Sequence, residues 1–219
     1  MSEQEWDERY SESDRVWSGQ PNAALITEVE GLTPGTALDV GCGEGADSVW
    51  LAERGWQVTG LDVSGVALDR ARGWAAEKGV HVTWVRSGLL EAGLAESFFD
   101  LVSVFYPPMS RTPDHEIESA LADLVAPGGT LLVVHHAPPE PGEEHHHHHG
   151  HDDSQSDDHD HSEGPDFATM VSPDSVREAL RTREDVWLIH TDDQRDRAIS
   201  AGRGAHHIRD LVIRAERRL

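Results

Sequence analysis

Apolar and polar positions follow two alternating periods along most of this chain, and the switches between them mark its elements. Residues 37–40 form a short apolar run that predicts a buried strand. A helical period covers 46–54, and a second apolar run ends at Asp62. Ser64 is placed to cap a helix reaching about Lys78, with Gly79 as its stop. Residues 81–86 alternate as a third strand, and 98–105 (FFDLVSVF) are almost continuously apolar, as a strand covered on both faces should be. A helix over 114–125 leads to a fifth strand, 130–134, which His135 and His136 end. Ser172 and Pro173 cap and start a helix to about Arg181. Residues 186–191 and 208–214 then alternate as a closing pair of strands, joined by a link rich in Arg and Asp. At the start of the chain, Trp6 and Tyr10 lie four apart and share one face of a helix. Pro21 opens a second helix, 22–30, which Gly31 stops.

The densest chemistry lies between residues 37 and 62. Gly41, Gly43 and Gly45 follow the first strand at alternate positions. A glycine directly after a strand allows a sharp turn and lets a ligand approach the backbone. The helix after it offers free N–H groups and a positive dipole end to an anionic or polar ligand. Asp62 stands at the tip of the next strand, about 20 positions beyond Gly41, where a carboxylate can accept from both hydroxyls of a ribose. Strand, glycine turn, helix, strand and acid make a nucleotide-binding half-sheet. The turn alone leaves the nucleotide open. Gly41, Gly43 and Ala46 satisfy the G-x-G-x-x-A of dinucleotide enzymes, whereas Asp39 ahead of the first glycine and Gly45 at the fifth position fit a different motif.

Charge and composition narrow the partners. Eighteen basic residues stand against 41 acidic ones, a formal charge of −23. A field of that sign repels phosphate backbones and anionic lipid, so neither nucleic acid nor membrane is an expected partner. The single cysteine, Cys42, excludes an internal disulfide and fits a reducing compartment. No apolar run approaches membrane-spanning length, and the opening MSEQEWDERY has no signal-peptide core, so a cytoplasmic location is expected.

Residues 138–165 break with everything around them. They hold eight histidines and nine acids with no large apolar residue, which predicts a disordered insertion. Neutral imidazoles beside carboxylates suit Zn, Ni or Cu(II). The candidate ligands are His145, His146, His147, His148, His149, His151, His159 and His161. Their spacing does not match a fixed catalytic site such as H-E-x-x-H.

Several features, in order, resemble the class I S-adenosylmethionine (SAM) methyltransferases. The run from Asp39 through Gly41, Cys42, Gly43 and Gly45 resembles motif I of that family, and Asp62 its ribose acid. Phe99-Asp100-Leu101-Val102 resembles its fourth strand, and Leu124 followed by Pro127-Gly128-Gly129 resembles the turn before its fifth. These cover about residues 37–135. Trp6-Asp7-Glu8-Arg9-Tyr10 and Trp17 with Pro21-Asn22 extend the resemblance towards the small-molecule enzymes of the thiopurine and tellurite-resistance type. The resemblance implies an α/β, Rossmann-like fold: a seven-stranded, mostly parallel sheet with an antiparallel last strand and helices on both faces. It also implies a single domain over 1–219. Residues 1–30 would be lid helices, 37–135 the SAM-binding core, 138–165 the insertion, and 166–219 a helix and strand pair.

For the site, the resemblance implies that Asp39 belongs to the cofactor motif and that Gly41, Cys42, Gly43 and Gly45 line the methionine moiety. Asp62 would take the ribose, and Val63, Ser87, Gly88 and Leu89 the adenine. At position 88 the family usually carries an acid that contacts the adenine amine, and Gly88 removes that contact. Phe105 and Tyr106 end the fourth strand as pocket walls, Phe105 beside the cofactor and Tyr106 in a substrate pocket with Tyr10 and Trp17. The activated methyl would pass to a small soluble acceptor, a sulfur, selenium, tellurium, nitrogen or oxygen nucleophile, by in-line displacement. The sulfonium carries its own activation, so the protein supplies proximity and orientation, and no catalytic residue is assigned. His135 and His136 are candidate bases, although adjacent strand residues point to opposite faces. Two other readings use the same features: a metal-binding or metal-sensing protein on this scaffold with the insertion as its working part, and an NAD enzyme.

Overall fold

A computed structural model describes residues 1–13, 15–138, 169–183, 186–197 and 209–219. Seven strands form one sheet: β1 (Thr36–Val40), β2 (Gln57–Asp62), β3 (Val82–Arg86), β4 (Phe99–Phe105), β5 (Val125–His136), β6 (Trp187–Asp196) and β7 (Arg209–Arg217). Their order is β3-β2-β1-β4-β5-β7-β6. The first five run parallel, and β7 lies antiparallel to both of its neighbours. The helices are α1 (Glu3–Ser11), α2 (Ala23–Val29), α3 (Ala46–Glu53), α4 (Gly65–Lys78), α5 (Glu116–Leu124) and α6 (Pro173–Arg181). The doubly wound, mostly parallel sheet with a reversed last strand is the architecture that the motifs implied.

Alternation along the central strands divides the core into two layers. Leu38, Val102, Val104 and Val133 pack against Leu121 of α5 and Val176 and Leu180 of α6. Ala37, Leu101, Leu132 and Val134 face the other way, onto Leu25 of α2 and Leu51 of α3. Over Leu101 to Val104 of β4 and Thr130 to Val134 of β5 neither face meets water, which accounts for the largely apolar runs there. Because β1, β4 and β5 are parallel and β7 is reversed, Val40, Phe105, His136 and Asp210 fall at one edge of the sheet. The strand order turns back at β1 and β4, and ligands of such sheets bind outside the carboxyl edge there.

Three boundaries differ from those the pattern predicts. The Pro-Gly-Gly turn sits inside β5, not before it. Val125 pairs with Phe99 and Thr130 with Leu101, so Ala126 to Gly129 bulge out of the ladder. Gly129 is needed there, since a Cβ would lie 2.9 Å from the carbonyl oxygens of Ala126 and Phe99. The sixth strand runs on to Asp196, because β7 pairs with it in register as far as Arg209. Arg195 is therefore a strand residue, bound to the buried Glu28 of α2 at 2.8 Å, and not part of a solvated link. Helix α5 starts two residues late, behind His115 at a φ of 53°. Asp100, at the amino end of β4, accepts from the Thr36 N–H and hydroxyl at 2.8 and 2.9 Å, a structural tie far from the carboxyl edge. Among the described residues no helix is long and apolar enough to cross a membrane.

Candidate functional site

The glycine turn is folded onto the tip of β2. The N–H groups of Gly41 and Cys42 both donate to the Leu61 carbonyl, at 2.7 and 3.1 Å. Two glycines are required by contact as well as by conformation. Gly43 has a φ of 52°, and a Cβ on it would lie 2.8 Å from the Tyr10 hydroxyl. Gly45, the N-cap of α3, has a φ of 83° and would meet Ala71 at 2.8 Å and Trp84 at 2.9 Å. Nothing lies within 4 Å of the Cβ position of Gly41, so space opens directly above the turn.

Asp62 binds the turn to the strand that follows it. One carboxylate oxygen accepts from Gly43 N–H and the other from Ser64 N–H, both at 2.8 Å. Each oxygen retains a lone pair for a further donor. Burial raises its pKa, and those N–H groups partly oppose the rise. Asp39 is 3% exposed and accepts from the Ser48 hydroxyl at 2.6 Å. Burial pushes it up to about 8, reinforced by the neighbouring Asp47 and Asp62. Asp47 is pushed up to about 6 by burial, against the Asn22 amide and backbone N–H at 2.6 and 2.7 Å. Three buried carboxylates thus surround the turn, with no cationic partner for them among the described residues, a setting that favours a positively charged ligand. Cys42 sits among them with its thiol held protonated by burial and by the Asp39 charge, so it is a small turn residue and not a nucleophile.

The N-terminal segment is clamped over this turn. The Glu44 carboxylate accepts from the N–H groups of Val16 and Trp17, at 3.2 and 3.1 Å, and pairs with Arg70 at 2.8 Å. Arg70 also donates to the carbonyls of Tyr10 and Ser13. Trp17 donates its indole N–H to the Tyr10 hydroxyl at 3.0 Å, so two of the three predicted pocket aromatics lie against Gly43. Asp7 accepts from the Ser64 hydroxyl at 2.6 Å and pairs with Arg86 at 3.2 Å. Glu44, Arg70, Asp7 and Arg86 did not stand out in the sequence, because each matters only through a partner 26 or more positions away.

The residues expected to take the adenine lie at the ends of β2 and β3. Ser87 N–H donates to the Asp62 carbonyl at 3.1 Å, which draws residues 87–89 towards Val63. Leu89 packs on the core. Glu91 folds back so that its carboxylate fills the space where a side chain on Gly88 would begin. An acid therefore stands at the place where the motif lacks one.

The remaining predicted wall lies at the ends of β4 and β5. Tyr106 has a φ of 50° and is held there by its N–H on the Val134 carbonyl, 2.8 Å away. Its hydroxyl donates to Asp210 at 2.9 Å, and its ring stacks on His136 at 4.1 Å. His136 Nδ1 lies 3.4 Å from the other oxygen of Asp210. The Arg197 guanidinium lies 4.9 Å from the Tyr106 ring centre. Burial and the Asp210 charge raise the pKa of Tyr106, and Asp47 of the glycine turn is near enough to add to the rise. Phe105 is half-buried beside it. The eight histidines of 145–161 lie outside the described residues, and among those described no three His, Cys, Asp or Glu side chains form a group able to hold a metal. A shallow cleft of about 350 Å³ between Pro34, Trp56, Asp100 and Gly128 contains none of the predicted site residues.

Comparison with known proteins agrees with this geometry. A family model described as the methyltransferase domain matches residues 37–129. The 2-heptyl-1-hydroxyquinolin-4(1H)-one methyltransferase of Mycobacteroides abscessus is 46% identical over 66 residues, 29% of this chain and 29% of that protein. The chain spans less than half of the length of the first curated relatives that it matches. Among solved structures, one concerning the conversion of a disulfide bond into a thioacetal group during echinomycin biosynthesis superposes with a TM-score of 0.69 at 22% identity, over 99% of this chain and 92% of that one. The N-methyltransferase NodS of Bradyrhizobium japonicum, with S-adenosylhomocysteine bound, gives 0.65 at 18% identity over 98% and 97%. Motif order, sheet topology and family match converge: residues 37–129 match a methyltransferase domain, and the chain has the fold of these solved structures.

Proposed function

We propose that this protein transfers the methyl group of SAM to a small soluble acceptor. The observation that carries the reading is the lock between the glycine turn and Asp62, made by Gly43 N–H and the open space over Gly41. The residues present fit the cofactor. Asp62 has lone pairs for the ribose hydroxyls, the α3 N-terminus offers N–H groups to the methionine carboxylate, and buried acids complement the sulfonium and ammonium charges. Gly41, Cys42, Gly43 and Gly45 would hold the methionine part, and Val63, Ser87 and Leu89, with Glu91 standing in at Gly88, the adenine. SAM supplies an activated methyl, and what remains for Tyr10, Trp17, Phe105 and Tyr106 is to enclose and orient the acceptor. The reversed β7 sets this sheet apart from the all-parallel one expected of an NAD enzyme.

Titration calorimetry with SAM and with S-adenosylhomocysteine tests this directly. Binding of both, lost in Asp62→Ala, is expected, and failure of SAM to bind at millimolar concentration ends the enzyme reading. The His- and Asp-rich stretch is proposed, on its composition alone, to take up Zn, Ni or Cu(II). Deleting 141–164 should abolish that uptake and leave SAM binding intact. Unchanged metal affinity after the deletion removes the metal from the account.

A further inference from the structure

Helix α1 brings an arginine to the rim of the glycine turn and leaves its charge unmatched. Tyr10 and Trp17 fix the place: the Tyr10 hydroxyl lies 2.8 Å, and Trp17 Nε1 3.6 Å, from the Cβ position of Gly43. The Arg9 guanidinium lies 5.8 Å from the centre of that Trp17 ring and 5.3 Å from the centre of the Trp6 ring. Arg9 therefore stands one indole away from the turn, beside two half-buried aromatic side chains. Its hydrogen-bond contact is a weak one, from Nη1 to Met1 Sδ at 3.9 Å. Its Nε is buried and has no acceptor among the described residues. A guanidinium is a fork of N–H donors, and most of this one is uncommitted.

An unmatched arginine is unexpected in a chain with 41 acidic residues against 18 basic ones, and its cause is local. Around the turn, Arg70 is paired with Glu44, and Arg86 with Glu3 and Asp7. Arg15 is drawn over Trp74 of α4, 5.0 Å from the ring centre. Glu5, one helical turn before Arg9, is the acid placed to pair with it. Its carboxylate instead accepts from the Ser2 N–H in the capping box that starts α1. Asp7 is taken up by the Ser64 hydroxyl and Arg86. What remains around Arg9 is indole, whose faces hold a guanidinium without neutralising it. Arg9 thus keeps both its charge and its planar fork.

We propose that the methyl acceptor is a small anion with a carboxylate beside its nucleophile, and that Arg9 is the residue that recognises this carboxylate. This deepens the methyltransferase reading and rests on it. Asp39, Asp47 and Asp62 suit a cationic cofactor but repel an anionic acceptor, and the field of the whole chain repels it further. A fixed cation at the rim offsets that repulsion where the acceptor sits. The guanidinium fork matches a carboxylate in particular, which it engages through two parallel hydrogen bonds. The methionine carboxylate of SAM has the N–H groups of the α3 N-terminus at the turn itself, one indole closer than Arg9. The rings of Trp6 and Trp17 offer apolar surface to the rest of the acceptor.

The test uses the full chain, SAM, and pairs of aromatic thiols, amines and phenols that carry either a carboxylate or the corresponding amide on the ring. The wild type should favour the carboxylate member by about 10- to 100-fold in kcat/KM, the range for a hydrogen bond to a charged group, expressed mainly in KM. Arg9→Met should bring that ratio close to one, Arg9→Lys should keep part of it, and Arg9→Glu should invert it in favour of a ring aminomethyl group. Affinity for SAM and S-adenosylhomocysteine, read by calorimetry, should stay at the wild-type value in all three. A wild type with no preference for the carboxylate, or a ratio unmoved by Arg9→Met, overturns the proposal. So does a loss of SAM affinity in Arg9→Met, which assigns the residue to the cofactor. Where no member of the panel turns over, benzoate and benzamide are titrated into the S-adenosylhomocysteine complex. Benzoate should bind there to the wild type and not to Arg9→Met, and equal or absent binding overturns the proposal. Should Arg9→Met fail to fold, Arg9→Lys and Arg9→Glu carry the same discrimination. Failure of the wild type to bind SAM is a separate outcome, which takes down the methyltransferase reading together with this one.

Discussion

The three buried acids around the glycine turn make SAM binding a proton-linked event, and the size of the linkage follows from Asp39. Without a ligand its carboxyl is pushed up to about 8 by burial and by the charges of Asp47 and Asp62. A cation seated over Gly41 favours the ionised form and lowers the Asp39 pKa, although the burial that raises it remains. Each pKa unit is worth about 1.4 kcal/mol, or tenfold. Affinity for SAM should therefore fall by up to about tenfold for each pH unit below 8, with protons released on binding, at most about one from Asp39. Asp47, pushed up to about 6, extends the dependence to lower pH. Calorimetry in two buffers of different ionisation enthalpy reads the proton count directly. Asp39→Asn keeps an oxygen for the Ser48 hydroxyl but cannot ionise, so its SAM affinity should change much less with pH, and it controls for ionisation of SAM itself. S-adenosylhomocysteine, without the sulfonium charge, should give a shallower slope than SAM. The sign for stability is the reverse of the usual carboxylate case. The folded state holds this proton more tightly than the unfolded state, so ligand-free stability declines as pH rises from about 4 towards 8. Asp39→Asn should then melt above the wild type at pH 8, with the gap closing as pH falls. Equal pH slopes for SAM binding in wild type and Asp39→Asn refute the reasoning.

Three further outcomes follow from contacts around the same turn. Gly43→Ala places a methyl group 2.8 Å from the Tyr10 hydroxyl at a φ of 52°, so it should cost about 1–2 kcal/mol of stability by thermal melting and at least about tenfold in SAM affinity. Glu44→Ala removes the acceptor for the N–H groups of Val16 and Trp17 and the partner of Arg70. It should cost about 1–3 kcal/mol and speed amide hydrogen exchange at Val16 and Trp17, whereas unchanged protection there shows that the clamp is not formed in solution. Glu91→Ala should weaken SAM binding several-fold with the melting temperature unchanged, since Glu91 is exposed. Glu91→Gln, which keeps an acceptor oxygen, should weaken it less.

Much of the fold was legible because its signals are local. Residues 37–40 and 98–105 are mostly apolar, and the structure buries Ala37 to Val40 and Leu101 to Val104 on both faces of the strands they form. Ser64 and Gly79 bound α4 as capping chemistry predicts, with Ser64 Oγ accepting from Ala67 N–H and Gly79 at a φ of 68°. The failures are those of partners. The Pro-Gly-Gly run reads as a turn, and only its pairing with Phe99 and Leu101 makes it a bulge inside β5. Residues 192–196 carry too much charge to read as a strand, yet β7 extends them along an outer edge where charged side chains reach water.

The same distinction divides the site. The cofactor half is one contiguous stretch, in which Gly41, Gly43, Gly45 and Asp62 sit within a single strand–helix–strand unit, so spacing alone conveys its geometry. The strand ends across from it have no such stretch. Tyr106 follows β4, His136 ends β5 and Asp210 opens β7, separated in sequence by 104 positions between the first and the last. In the sequence Asp210 is one acid among many, and His136 one of fifteen histidines. What selects them is the reversal of β7, which brings its amino end to the edge where parallel strands present their carboxyl ends. A chain that kept its cofactor motif intact while altering residues 106, 136 and 210 would look unchanged by motif. What these residues do therefore has to be read from the three strand ends together, because only the sheet brings them to one edge.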